Sequence, residues 1–371
     1  MRVLIAPDSF KGTLSATEAS MAMSVGLKAG WPALHTDKLP LADGGEGTLE
    51  ALLAATGGTS QAIRVHDTFG EVWSEHIGLL DSGDVVVEAS LFCGRCSREH
   101  GPLDPLLASS RGLGEAIDKA LAFEPRRLLV GLGGSVSIDG GLGLMQALGA
   151  TAVDSQGREV TTGGCGLGDV RSVDIGPAVA RLAGVELVVL CDVNARLLGE
   201  DGARLYMAQK GADDAMAQRL ALGLENLAAK VSPEAAQRDG AGAAGGLGFA
   251  LSALGGQLVA GAPWILAATD AHERIAAADI VVTGEGRLDA QTAQGKLPHA
   301  VGTIATAAGK RTFAICGCTA LSDAQLATTG FERVFISRPA GHAGSRRPPF
   351  LQVRDAAREL GAMLRAENEA G

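Results

Sequence analysis

Residues 3–12 read Val-Leu-Ile-Ala-Pro-Asp-Ser-Phe-Lys-Gly, and residues 34–47 read Leu-His-Thr-Asp-Lys-Leu-Pro-Leu-Ala-Asp-Gly-Gly-Glu-Gly. The first starts apolar, the second mixes polar and apolar residues up to Leu41, and both break into polar, glycine-bearing sequence. Val3–Pro7 and Leu34–Leu41 therefore read as strands, each followed by an open loop. Between them Ser15-Ala16-Thr17-Glu18 is a capping box, which starts a helix running to about Ala29. A second helix follows Gly47 and stops at Gly57-Gly58. The order β-loop-α-β-loop-α predicts an open α/β sheet, whose ligands bind beyond the carboxyl ends of the strands.

The texture then changes. Gln61–His66, Val72–Leu80 and Val85–Glu88 are short strands with tight connections, which predicts an antiparallel meander. A helix near Leu113–Phe123, a strand at Arg127–Val130, the turn Gly131–Gly141, a helix to Leu148 and a strand at Leu187–Leu190 follow. Past Asp270 the first rhythm returns. A strand at Asp279–Val282 runs into the loop Thr283–Asp289, then come a helix at Pro298–Ala308, strands at Thr312–Cys316 and Arg333–Ser337, and a last helix at Leu351–Glu367. The expectation is a discontinuous α/β domain from residues 1–60 plus 275–371, with residues 61–274 inserted as a mixed α+β domain and hinges near 58–62 and 268–280. Ser337–Pro349 reads as a basic loop.

Composition narrows the classes. The 371 residues are 46% hydrophobic and 20% charged, which excludes a disordered chain. A net charge of −10 argues against a nucleic-acid partner, while 52 glycines favour close backbone approach to a ligand. Six cysteines do not make a disulfide scaffold, and reduced thiols in a cytoplasmic protein are the expectation. Val3–Ala6 is too short for a signal-peptide core. Ala241–Thr269 carries no charge but contains seven glycines, Gln257 and Pro263, so it reads as a Gly-rich loop and a buried helix rather than a membrane span.

The loops carry the chemistry. Neither Gly131-x-Gly133 nor Gly284-x-Gly286 completes a dinucleotide fingerprint, and no phosphate loop of the GxxxxGK[ST] type exists. Lysine is scarce, with 8 against 24 arginines, yet Lys11, Lys210 and Lys296 each adjoin glycine in a polar loop. A lysine beside open backbone is a good ligand for phosphate or carboxylate. Asp8, Asp43, Glu46, Asp139, Asp192, Glu285 and Asp289 lie just after predicted strands or in glycine-rich turns. Each has a plain alternative as a helix cap or turn former. Together, carboxylates near phosphate-binding lysines imply Mg²⁺ and phosphoryl transfer, with one aspartate free to take a hydroxyl proton. The histidines read as structural or surface residues.

In order along the chain, APDSFKG at 6–12, ADGGEGT at 42–48, GLGGS…DGG at 131–141, CDVN at 191–194, QKGA at 209–212, GAAGGLG at 242–248 and TGEGRLDAQTAQGK at 283–296 resemble glycerate kinase, class I. Ile138 and Ala208 stand where that family usually carries Asn and Pro. The resemblance implies a two-domain α/β fold, one flavodoxin- or Rossmann-like domain and one inserted mixed α/β domain, with the site in the cleft between them. It implies Mg²⁺- and ATP-dependent phosphorylation of D-glycerate to 2-phosphoglycerate. The alternatives are a glycerate 3-kinase, a kinase of another small 2-hydroxy acid, or an inactive metabolite-sensing member. On this reading Lys11 and Lys296 neutralise ATP phosphates or the glycerate carboxylate, and Asp192 or Asp289 is the base. Asp43 and Glu285 hold Mg²⁺, and Gly133, Gly134 and Ser135 donate to an anion. Asp8, Ser9, Asp139, Lys210, Gly284 and Arg287 complete the substrate- and phosphate-binding set. No membrane partner is expected, and the oligomeric state is left open.

Overall fold

The structure is a computed structural model that describes residues 1–95, 103–289, 296–326, 329–338 and 347–370. In chain order its strands are β1 (Arg2–Ile5), β2 (His35–Lys38), β3 (Gly58–His66), β4 (Val72–Leu80), β5 (Val85–Glu88), β6 (Arg127–Gly131), β7 (Thr151–Val153), β8 (Ser172–Asp174), β9 (Glu186–Leu190), β10 (Gln257–Val259), β11 (Ile280–Leu288), β12 (Arg311–Thr319) and β13 (Arg333–Ile336). The chain divides into two compact units. Met1–Asp43, Glu50–Thr56 and Ala262–Gly371 make the first, and Gly44–Leu49 with Gly57–Gly261 make the second.

The first unit is built on five strands in the order β13-β12-β11-β1-β2, every pair parallel. Counted along the unit this is the 2-1-3-4-5 order of doubly wound, flavodoxin-like sheets. The chain steps from β1 to β2 on one side and resumes with β11 on the other. The switch point therefore lies between β1 and β11, where such sheets bind ligands. Val3, Ile5, Ile280, Val282, Phe313 and Ile315 are buried from the strands, as expected where helices cover a parallel sheet.

The helix Ala16–Gly30 starts as the sequence requires. The Ser15 hydroxyl accepts from the Glu18 N–H, and the Glu18 carboxylate accepts from the Ser15 N–H at 2.9 Å. Its buried residues Ala19, Met23 and Leu27 join the same core as Val353, Ala357 and Leu360 of the C-terminal helix Pro349–Ala370. These two helices approach backbone to backbone: a methyl group at Gly26 would lie 2.1 Å from the Arg354 carbonyl oxygen.

The second unit has a six-stranded sheet in the order β10-β9-β6-β5-β4-β3 and a small β7–β8 ribbon. β10, β9, β6 and β5 run parallel, while β5, β4 and β3 form the antiparallel meander. Its core includes Val87, Phe92, Ile117, Val130, Leu144, Val189 and Phe249.

Two sequence expectations change. Thr283–Asp289 was expected as a loop, but β11 continues through it to Leu288. β12 runs beside it in register from Ile280–Arg311 to Leu288–Thr319. Gly284 permits this, because a Cβ there would meet the Ile315 carbonyl oxygen at 1.9 Å. Ala241–Thr269 is not one loop and one helix. It holds the helix Leu247–Ala253, then β10, then the helix Gly261–Ala268. Across the described residues no helix is long and apolar enough to cross a membrane.

Gly26→Ala should cost about 1–3 kcal/mol through overpacking, read as a lower denaturant midpoint. An unchanged midpoint would show that the two helices do not pack this closely.

Candidate active site

Past Ile5 the chain stays beside β11. The Ala6 N–H donates to the Val282 carbonyl and the Asp8 N–H to the Gly284 carbonyl, both at 2.8 Å. The Thr283 hydroxyl donates to the Ala6 carbonyl at 2.7 Å. On the other side the Leu41 N–H donates to the Pro7 carbonyl at 3.0 Å, which draws the chain after β2 alongside. The chain past β1, the chain past β2 and the last half of β11 thus carry Asp8, Asp43 and Glu285, all buried. The Lys11 ammonium lies 3.6 Å from the Asp43 carboxylate.

Crowding of carboxylates sets the electrostatics. Burial first, then Asp43 and Glu285, hold the Asp8 carboxyl well above the usual carboxylate range. Lys11 and the Ser9 N–H, which donates to Asp8 at 2.6 Å, oppose them. Such a place favours an added cation. The donors are hard carboxylate oxygens, which suit Mg²⁺. Among the described residues no group of three or more His, Cys, Asp or Glu is arranged to hold a metal by itself.

Beside these carboxylates opens a cavity of about 300 Å³. Ser9, Lys11, Glu285, Arg287, Asp289 and Lys296 line it. Glu285 and Arg287 are two apart on β11 and so point to one face. Lys296 is the N-cap of the helix Leu297–Ala307 and makes no side-chain capping bond. Gly284 itself is turned to β12 and serves strand packing. Residues 290–295 of the same motif lie outside the described residues.

The remaining candidates belong to the second unit. Gly133 and Gly134 follow β6 in the turn that leads to Ser135, whose hydroxyl is 3.0 Å from that of Ser137. Asp139, placed by the sequence in the substrate- and phosphate-binding set, is a fully buried anchor. It accepts from the Ser110 N–H and hydroxyl at 2.8 Å and from the Gly141 and Gly143 N–H groups. Burial raises its carboxyl and these four donors pull it back. Lys210, read as a polar-loop lysine and a candidate phosphate ligand, is also buried, and its ammonium donates to the Ser137 carbonyl at 3.0 Å. Burial pushes it down to about 8 against the charges of Cys93 and Asp139. Asp192 is exposed and accepts from the Gly261 N–H at 2.7 Å.

The sequence profile described as the Glycerate kinase family matches residues 3–359. The chain belongs to the glycerate kinase family. It is 38% identical over 325 residues to a protein named glycerate 2-kinase from Escherichia coli (strain K12), with 85% of each chain covered. It is 37% identical over 346 residues to a protein named glycerate kinase from Bacillus subtilis (strain 168), with 91% of each covered. A crystal structure of a candidate glycerate kinase 2 from Salmonella typhimurium LT2 superposes with a TM-score of 0.82 at 35% identity, covering 100% of this chain and 99% of that one.

In this glycerate kinase family member the sequence reading missed several groups. Arg338 and Gln352 also line the cavity. Arg338 lies near the start of the tract Ser337–Pro349 that the sequence marked only as a basic loop, while Gln352 lies inside an amphipathic helix and gave no signal. Glu88 is buried at the end of β5 and accepts from the Gly47 and Leu49 N–H groups and from the Ser90 hydroxyl, fixing the glycine-rich segment 44–49. Nothing in the sequence distinguishes it from the exposed glutamates around it.

Lys210 supplies a pH test. In the unfolded chain it stays charged up to its ordinary 10.5, but folded it loses its proton near 8. Below about pH 8 folding therefore bears the full cost of a buried ammonium, and that cost fades towards pH 10.5. Lys210→Met has no charge to bury. The melting temperature of the variant minus that of the wild type should fall as pH rises across this window, whatever constant loss the missing bond to Ser137 adds. A difference flat with pH would contradict the assignment.

Proposed function

We propose that the protein transfers the γ-phosphate of ATP to the 2-hydroxyl of D-glycerate, giving 2-phosphoglycerate and ADP. The observation that carries this reading is the switch-point cavity, where lysines and arginines stand beside buried carboxylates. Phosphoryl transfer asks a protein mainly to position the reactants and to stabilise spread negative charge. Lys11, Arg287 and Lys296 supply the positive charge. Glu285 and Asp43 hold Mg²⁺, and Asp8 backs them. When bound there, the ion neutralises phosphate oxygens. The names of the relatives support glycerate as the acceptor, and that of the Escherichia coli relative supports the 2-position.

The hydroxyl proton goes to Asp289 in the cavity or to Asp192, held by the Gly261 amide. A positioned base contributes about 10²–10⁴-fold. Asp289→Asn and Asp192→Asn should therefore differ: the true base loses turnover by about that factor while ATP binding by calorimetry persists. Equal, small losses in both would remove both from the role.

Purified protein with ATP, Mg²⁺ and D-glycerate should release ADP, and ³¹P spectra should show 2-phosphoglycerate. 3-Phosphoglycerate would move the reaction to the other hydroxyl, and no ADP would refute the kinase reading. Lys296→Met should lower turnover by about 10²-fold or more with the thermal midpoint nearly unchanged. Near-normal turnover would contradict its role.

A further inference from the structure

The kinase reading leaves open which anion the switch-point cavity receives. Resting on that reading, we infer that the cavity seats the polyphosphate of the nucleotide rather than the carboxylate of the hydroxy acid, with Arg338 as one of its ligands.

Four observations converge. The first is charge. Lys11, Arg287, Lys296 and Arg338 all line the cavity, against Glu285 and Asp289, with the Asp43 carboxylate 3.6 Å from Lys11. A single carboxylate offsets one cation. A polyphosphate offsets several, and a Mg²⁺ ion that accompanies it answers the carboxylates. The second is a built-in donor. Ser9 is 7% exposed, its hydroxyl is enclosed, and among the described residues it has no hydrogen-bond partner. A buried hydroxyl left without a bond is costly, so it marks a place where a ligand oxygen belongs.

The third is the placement of Arg338. The backbone past β13 continues to pair with β12: the Ser337 N–H donates to the Cys316 carbonyl at 2.8 Å and the Arg338 N–H to the Gly317 carbonyl at 2.9 Å. This holds an exposed arginine at the carboxyl edge of the sheet, and a guanidinium there can take two phosphate oxygens at once. The fourth is helix polarity. The start of Leu297–Ala307 reaches the cavity at Lys296, and the first turn of Pro349–Ala370 reaches it at Pro349 and Gln352. Both present the positive end of a helix dipole to a bound anion.

The test compares Arg338→Ala and Ser9→Ala with wild type. KM is measured for ATP and for D-glycerate separately, and inorganic tripolyphosphate binding is measured by calorimetry on the protein alone. Arg338→Ala should raise KM for ATP and Kd for tripolyphosphate by about tenfold and leave KM for glycerate within about twofold. Arg338→Lys should recover part of the loss, and Ser9→Ala should show a smaller change of the same kind. A rise in KM for glycerate equal to or larger than that for ATP would overturn the inference, as would unchanged constants in both Ala variants. If the wild type releases no ADP with glycerate, the kinase reading fails. The tripolyphosphate titrations still decide the polyphosphate seat, because they need no turnover.

Discussion

The hydrogen bond from the Asp8 N–H to the Gly284 carbonyl carries the pairing of β1 with β11 past the end of β1. It fixes a carboxylate at the switch point of the sheet, beside one that β11 brings with Glu285 and one that the chain after β2 brings with Asp43. Burial first, and then repulsion from Asp43 and Glu285, keep the Asp8 carboxyl raised. A fold keeps such an arrangement against its cost where a ligand repays it. Lys11 compensates within the protein, and on the proposed reading a metal ion with phosphate would complete the compensation.

The first unit was legible because its signals are local. A short apolar run, a polar glycine-bearing break and a capping box define β1 and the helix Ala16–Gly30 without reference to distant sequence. The same rhythm past Asp270 located β11, β12 and β13. What escaped was the length of β11. Thr283-Gly284-Glu285-Gly286-Arg287 has loop composition, and only the neighbouring β12, distant in sequence, makes it strand. That matters for the site, since strand geometry turns Glu285 and Arg287 to one face.

The second unit was less legible for a different reason. Its polar residues resemble ligands in sequence and act as anchors in space. Asp139 sits in a glycine-rich turn, where a substrate-site or capping role is the natural reading. Its surroundings, Ser110 above all, come from 29 residues away. Lys210 beside Gly211 looks like a surface lysine, and tertiary packing buries it against the Ser137 carbonyl. Both hold the turn that contains Ser135 and Ser137 in one shape. Burial is not encoded in loop composition, and so the chemistry of these two residues was readable while their exposure was not. Arg338 is the converse case, a basic residue in a tract with no motif, given meaning by its backbone bond to Gly317.

The central claim is that metal and phosphate meet where β1 and β11 end. A crystal grown with Mn²⁺ in place of Mg²⁺ and a non-hydrolysable ATP analogue locates both, because manganese scatters anomalously. The account predicts a manganese peak against the Glu285 and Asp43 carboxylates, with phosphate oxygens in hydrogen-bond reach of Lys11 and the Ser9 hydroxyl. Manganese and phosphates seated instead on the Gly131–Gly141 turn of the second unit would contradict it.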